Sequence, residues 1–190
     1  MILRLFRPGS KGRSIGDLYG AIVAQARCAA FYSSYGVPDT VEGRFDLIVL
    51  HMVLLLQRLG RADGAGRGIG QQIGQELFDV FCRDLDGNLR EMGVGDLAVP
   101  KRMRRFGEAF YGRQAAYGAA LADADERELE KALRRNIFAG AKIGTNGANR
   151  LARYVRATLR RLENQEDSAL LRGEVAFLTP DSIAEAASDG

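Results

Sequence analysis

The sequence predicts an all-α fold, a single-domain bundle of about six helices with a flexible glycine-rich loop and a frayed C-terminal tail. Ala, Leu, Arg and Glu are abundant, only 4 prolines occur and tryptophan is absent, which favours helix at most positions. Apolar residues recur three and four apart through long segments, the repeat of an amphipathic helix. Clusters of Gly, Pro, Asp and Thr interrupt those segments where helices end. With 190 residues, 46% of them apolar and 27% charged, the chain can enclose one core. Residues 1–13 are expected to form a basic N-terminal arm, 14–178 the helical domain and 179–190 a disordered tail.

Ser14-Ile-Gly-Asp17 has the form of a capping box. Ile15, Leu18, Tyr19, Ile22 and Ala26 then give a first helix to about Ser33. Gly36-Val-Pro-Asp-Thr40 ends it, because proline disfavours helix at the residue before it. Asp39 or Thr40 caps a second helix, about Val41 to Leu59, which is apolar nearly all round and therefore central. Its apolar run from Leu47 to Leu56 is about half the ~20 residues that a membrane span needs, so it reads as a core helix.

Gly60 to Gly70 is expected to be a mobile surface loop, since the lysine and the preceding strand of a phosphate-binding loop are missing. A third helix carries Ile69, Ile73, Leu77, Phe81, Leu85 and Leu89 on one stripe. Pro100 opens a fourth, with Met103, Phe106, Phe110, Tyr117 and Leu121 along a narrow seam. Gly107, Gly112 and Gly118 inside it imply close approach by a neighbour. A fifth helix, about Asp125 to Phe138, is capped by Asp123 or Asp125. Gly144-Thr-Asn-Gly147 turns the chain into a sixth, about Ala148 to Asn164. Leu151, Val155, Leu159 and Leu162 face its core side, and Arg150, Arg153, Arg156 and Arg160 the opposite one. Ala169 to Leu178 forms either a short helix or a strand.

The net charge is +3, but Pro100 to Glu163 holds 15 Lys/Arg against 7 Asp/Glu. Arg102 and Arg105, with the four arginines of the sixth helix, give a basic surface that attracts RNA phosphates or anionic lipid headgroups. No aromatic residue is interleaved to stack on bases, which argues against sequence-specific reading. Ile2, Leu3, Leu5 and Phe6 among basic residues offer too little apolar area to anchor in a membrane. The N-terminus also lacks the apolar core and cleavage site of a secretory signal. One histidine and two separated cysteines leave no ordinary zinc site, and neither metal nor cofactor is expected. Cys28 and Cys82 read as buried free thiols of a reducing cytosol. His51 reads as a satisfied core histidine, and no catalytic residue is assigned.

Two joints are chemically specific. Phe31 to Asp39 sets three aromatics beside a Gly/Pro turn, and Gly93-Val-Gly-Asp-Leu97 sets a valine and a leucine on a bend. Such side chains at helix ends either hold another apolar chain or plug the ends of the bundle.

The blocks Leu18-Tyr19…Ile22-Val23-Ala24-Gln25-Ala26-Arg27 and Phe31-Tyr32…Gly36-Val37-Pro38-Asp39-Thr40…Gly43-Arg44-Phe45-Asp46…His51 resemble the ubiquinol–cytochrome c chaperone family. So do Leu77-Phe78-Asp79…Asp84-Leu85-Asp86…Asn88 to Leu97 and Ala109-Phe110-Tyr111-Gly112-Arg113…Ala116-Tyr117, so the resemblance spans about Leu18 to Leu121. Pro100, the glycines of 64–70 and Cys28-Ala29-Ala30 depart from the family's pattern. The resemblance implies a mostly helical, non-enzymatic assembly factor that binds newly made cytochrome b. No small-molecule substrate is implied. Mitochondrial relatives work near the ribosomal exit tunnel. A bacterial relative would act in the cytoplasm, peripheral to the inner face of the cytoplasmic membrane, and the missing mitochondrial-type leader fits that form. The basic face is then available to the ribosome or to an anionic membrane.

On this reading the client-binding residues are Phe31, Tyr32, Tyr35, Val37, Arg44, Asp46, His51, Arg90, Val94, Asp96, Leu97 and Arg113. Gly93 and Gly95 allow positive φ so that Val94 and Leu97 reach outward. Arg44, Arg90 and Arg113 alternatively brace the joints against Asp46, Asp86 or Glu91. The rival reading is a basic helical RNA- or ribosome-binding protein.

Overall fold

The computed structural model describes residues 8–61, 65–139 and 146–181, which contain no strand. In chain order the helices are α1 (Pro8–Ala26), α2 (Ala29–Ser33), α3 (Val41–Gly60), α4 (Ala65–Glu91), α5 (Val99–Ala122), α6 (Glu126–Asn136), α7 (Gly147–Glu163) and α8 (Asp167–Leu171). Six of them run eleven residues or more, as the periodicity predicts, and the other two are short turns of helix. Residues 1–7 of the expected arm, 62–64 of the glycine loop, 140–145 and 182–190 of the tail lie outside the described residues.

α3 packs against α1, α4, α5 and α7. It is central because Leu47, Val49, Leu50, Met52, Val53, Leu54 and Leu55 all lose their contact with water, so no face is left free. The Thr40 hydroxyl caps it by accepting from the Gly43 N–H at 3.1 Å. Phe78 and Phe81 of α4 meet Phe110 and Tyr111 of α5, as an antiparallel hairpin requires. Asp125 caps α6 through the Arg127 N–H at 2.9 Å. Leu151, Val155, Leu159 and Leu162 are buried as their spacing predicts.

Four expectations need correction. α1 already begins at Pro8, so Ser14 to Asp17 lies inside a helix rather than at its start. The first helix does not reach Ser33: extended backbone at Cys28 (φ −56°, ψ 126°) separates α1 from α2. That break turns Phe31 into the core, where its ring lies 5.0 Å from that of Tyr154, and packing with distant residues overrides local helix propensity. Gly68 and Gly70 are helical rather than part of a loop. α4 starts against the end of α3, and a side chain at Gly70 would collide with the Leu59 carbonyl.

The glycines of α5 are the fourth case. Only Gly118 faces a neighbour, the Gln57 side chain, whereas a methyl at Gly107 or Gly112 would meet open space. Gly107→Ala and Gly112→Ala are therefore each expected to stabilise the protein by about 0.5–1 kcal/mol, read as a rise in urea midpoint at unchanged slope.

After α7 the chain is tied down by Arg58, whose guanidinium donates to Leu162 O (2.9 Å) and Gln165 O (2.7 Å) and pairs with Asp167 (2.5 Å). Residues 174–180 then run irregularly across the bundle. Gln165 holds Ala176 by both its backbone N–H and its carbonyl, each at 2.8 Å. Gln25 donates to Leu178 O at 2.7 Å, and the Tyr35 hydroxyl to Pro180 O at 2.7 Å. Pro180 is buried, so the tail expected from residue 179 is held in place through that point.

Candidate functional site

The structure separates the two joints by role. The first turns inward. Phe31, Tyr35 and Val37 are all at most 2% exposed, and Phe31 and Tyr35 pack edge-on against Tyr154. His51 lies beside them, with the ring of Phe177 at 5.3 Å on another side. His51 Nδ1 sits 2.7 Å from Leu47 O, which only accepts, so Nδ1 carries the proton. Nε2 then accepts from the Tyr154 hydroxyl at 2.9 Å, and that oxygen accepts from Gln25 at 2.9 Å. Both ring nitrogens are engaged, so the imidazole has no lone pair open to a substrate or a metal. These aromatics plug the bundle; their expected place on an open surface is corrected. Half-buried Tyr32 is tied back to Ala26 O at 2.9 Å.

Burial holds the His51 pKa down to about 4. An unfolded histidine titrates near about 6.5, so below that pH the unfolded chain takes up a proton that the folded chain refuses. The His51 contribution to stability is whole above this value and is lost as the pH falls towards about 4. Asp46 acts with the opposite sign. Burial pushes its pKa up to about 6 although Arg113 opposes the rise, so the folded chain gains a proton first as pH falls. From pH 7 to 5, the urea midpoint of His51→Gln is expected to rise relative to wild type, and that of Asp46→Asn to fall. Parallel shifts in all three proteins would contradict both assignments.

The three candidate arginines brace the fold. Arg113 pairs with buried Asp46 at 2.7 Å, and its guanidinium carbon lies 5.7 Å from the centre of the Phe45 ring. Arg44 pairs with Asp39 at 2.8 Å across the turn before α3. Arg90 spans the α4–α5 joint, 2.7 Å from Asp86 on one side and 2.5 Å from Asp96 on the other.

That joint is the one that opens outward. Gly93, at φ +76°, donates to Arg90 O at 2.9 Å, and Val94 donates to Leu89 O at 3.0 Å. The pair of bonds is a Schellman closure, which ends a helix on a left-handed glycine. Gly95 O then accepts from Ala98 at 2.8 Å and begins α5. The backbone is thus fixed at both ends and clamped by Arg90 between them. Out of this rigid bend stands Leu97, 99% exposed, with Met92 64% exposed and Val94 half-buried. Reading the sequence missed Met92, although it directly precedes the glycine that turns the helix. It also missed Tyr154 and Phe177, whose roles depend on contacts with residues far away in the chain.

The basic residues also divide. Arg102 and Arg105 are solvent-exposed on α5. Arg153 and Arg160 are exposed on α7, whereas Arg156 is 19% exposed and Arg150 donates to Ser34 O at 2.7 Å. Arg150 and Arg156 are thus only partly available to the expected basic surface, because α6 and the α2 end cover part of that face. Cys28 and Cys82 are free and half-buried.

A sequence profile described as "Ubiquinol-cytochrome C chaperone" matches residues 33–177. The match continues past Leu121, where the resemblance carried by the blocks ends, through α7 and into the irregular segment of residues 174–180. The chain is 25% identical over 161 residues to ubiquinol-cytochrome-c reductase complex assembly factor 1 of Xenopus laevis, covering 84% of this chain and 78% of that one. The Drosophila melanogaster protein of the same name is 25% identical over 185 residues, covering 93% and 70%. Among solved structures, a crystal structure of the Cbp3 homolog from Brucella abortus superimposes with a TM-score of 0.80 at 38% identity, covering 95% of this chain and 98% of that one.

Proposed function

The chain belongs to the ubiquinol–cytochrome c chaperone family, and we propose that within it the protein holds newly made cytochrome b. Its named relatives support the broader role, an assembly factor of ubiquinol–cytochrome c reductase. The client and the gripping surface are our reading. The observation that carries it is Leu97, almost wholly exposed on a bend that Gly93 and Arg90 hold rigid.

An apolar client needs apolar surface that is already arranged, because a preformed contact avoids the entropy of ordering a loop on binding. Leu97, Met92 and Val94 supply that surface, with charged Asp96 and Arg90 at its edge. Asp96 and Arg90 act as the brace, and Tyr32, Arg44 and Arg113 as supports farther away. The inward residues Phe31, Tyr35, Val37, Asp46 and His51 act through the fold. Such holding uses no catalytic group, nucleotide or metal. Among the described residues no helix is long and apolar enough to cross a membrane. The protein would meet its client peripherally, at the inner face of the cytoplasmic membrane.

The test is capture from a cell-free translation of cytochrome b supplied with vesicles. Capture through apolar contact is expected to survive a rise from about 50 to 200 mM salt, whereas binding to RNA phosphates weakens steeply over that range. Recovery of ribosomal RNA alone, lost as salt rises, would replace this reading with the RNA-binding one.

A further inference from the structure

We propose that the groove between α6 and α7 binds a small phosphate-bearing anion, either free or carried on a lipid headgroup. This inference stands apart from the client reading. The groove has a volume of about 690 Å³ and is walled by Arg153, Arg156 and Arg160 of α7 and by Arg127 of α6. The α7 arginines fall at spacings of three and four, so they share one helix face. Ala152 and Ala157 lie between them and leave the cavity open.

Asp125, Glu126 and Glu130 also line the groove, three carboxylates against four arginines, and two of the three are engaged elsewhere. Glu130 accepts from Arg134 at 2.7 Å and from Asn149 at 3.2 Å. Asp125 is occupied as the α6 cap. Glu126 is 83% exposed and lies 4.0 Å from Arg156, too far for a hydrogen bond. Arg156 itself is 19% exposed, with its Nε and Nη2 sealed from water and without a hydrogen-bond partner among the described residues. A mostly dehydrated guanidinium therefore keeps open hydrogen-bond donors, and only the solvent-exposed Glu126, at 4.0 Å, offsets its charge. Low-dielectric walls concentrate that field in the cavity, and the exposed Arg127, Arg153 and Arg160 add to it.

A phosphate matches this arrangement. It carries up to two charges and three acceptor oxygens, which guanidinium groups meet as forked, charge-assisted donors. The volume falls within the about 300–1,000 Å³ typical of small-ligand sites, which favours a small anion over a nucleic-acid duplex. Arg102 and Arg105 carry the same charge on the outside of α5 and do not line this cavity, so they serve as the control.

The probe is inorganic pyrophosphate, titrated calorimetrically into the full chain. We expect saturation at one site per chain, weakened about tenfold or more in Arg153→Gln/Arg160→Gln and unchanged in Arg102→Gln/Arg105→Gln. Both α7 positions are exposed, so the double variant should keep its fold. A second arm measures sedimentation with vesicles of phosphatidylglycerol in phosphatidylcholine. Vesicle binding that needs the same arginines and is displaced by pyrophosphate identifies the headgroup as the source. Pyrophosphate binding without vesicle binding identifies a free phosphate compound. Failure of pyrophosphate to saturate, an equal loss in the α5 control, or RNA binding through the α7 arginines that pyrophosphate does not displace would each overturn the proposal.

Discussion

Arg113→Ala is expected to lower the unfolding free energy by about 2 kcal/mol at pH 7, because it buries Asp46 without its counter-ion and strips the contact over Phe45. The Asp46 side chain is 7% exposed, that of Arg113 is 19% exposed, and the two meet at 2.7 Å. Arg113 also donates to Ala109 O at 3.2 Å and lies over the Phe45 ring, so it ties α5 to the start of α3. Without it, Asp46 limits the penalty by taking up a proton. Its pKa already stands at about 6 with the arginine present, and removing the arginine moves it higher. The cost is therefore expected to shrink between pH 7 and 5. Asp46→Asn/Arg113→Ala should recover part of the loss at pH 7, since no unpaired charge remains to be buried. Urea unfolding of the three proteins at both pH values measures this. A loss that is equal at the two pH values and unrelieved in the double variant would show that Arg113 acts only as packing.

Leu97→Asp is expected to reduce capture of cytochrome b by about tenfold or more, since burying a leucine side chain is worth about 1.5–3 kcal/mol. The same change should leave the urea midpoint almost unmoved, within about 0.5 kcal/mol, because a side chain 99% exposed contributes little to folding. Phe31→Ala is the reverse case. It removes a fully buried ring and is expected to cost about 3–5 kcal/mol of stability. Any loss of capture it causes would follow from the fold. The pair separates contact from scaffold: one variant loses the client and keeps its stability, the other loses stability first.

The helices were legible because helical amphipathicity is local. Spacings of three and four place α3 at the centre and turn Leu151 and Val155 of α7 inward, as observed. Gly93 was legible for a similar reason, since a left-handed helix end favours glycine. Which way each joint faces was not legible. Both contain aromatic or aliphatic residues beside glycine, yet Phe31 and Tyr35 are sealed while Leu97 stands in water. What seals the first pair is Tyr154, with Tyr35 held further by Pro180, and both partners lie more than a hundred residues along the chain. No window of sequence contains those contacts. The same limit hid the division of the arginines, because whether Arg156 lines a groove depends on where α6 packs against α7. The glycines of α5 mark the opposite error, where a local feature was assigned a distant cause that is absent at Gly107 and Gly112.

The central claim is that a rigid bend between α4 and α5 offers apolar side chains to cytochrome b. Its most direct test is a photo-reactive amino acid placed at Leu97 in cells that make cytochrome b, with the same probe at exposed Gln72 near the opposite end of α4 as control. The account predicts an adduct containing cytochrome b from position 97 and none from position 72. Cytochrome b adducts from position 72 but not from 97, or none from either while the protein still supports assembly, would contradict it.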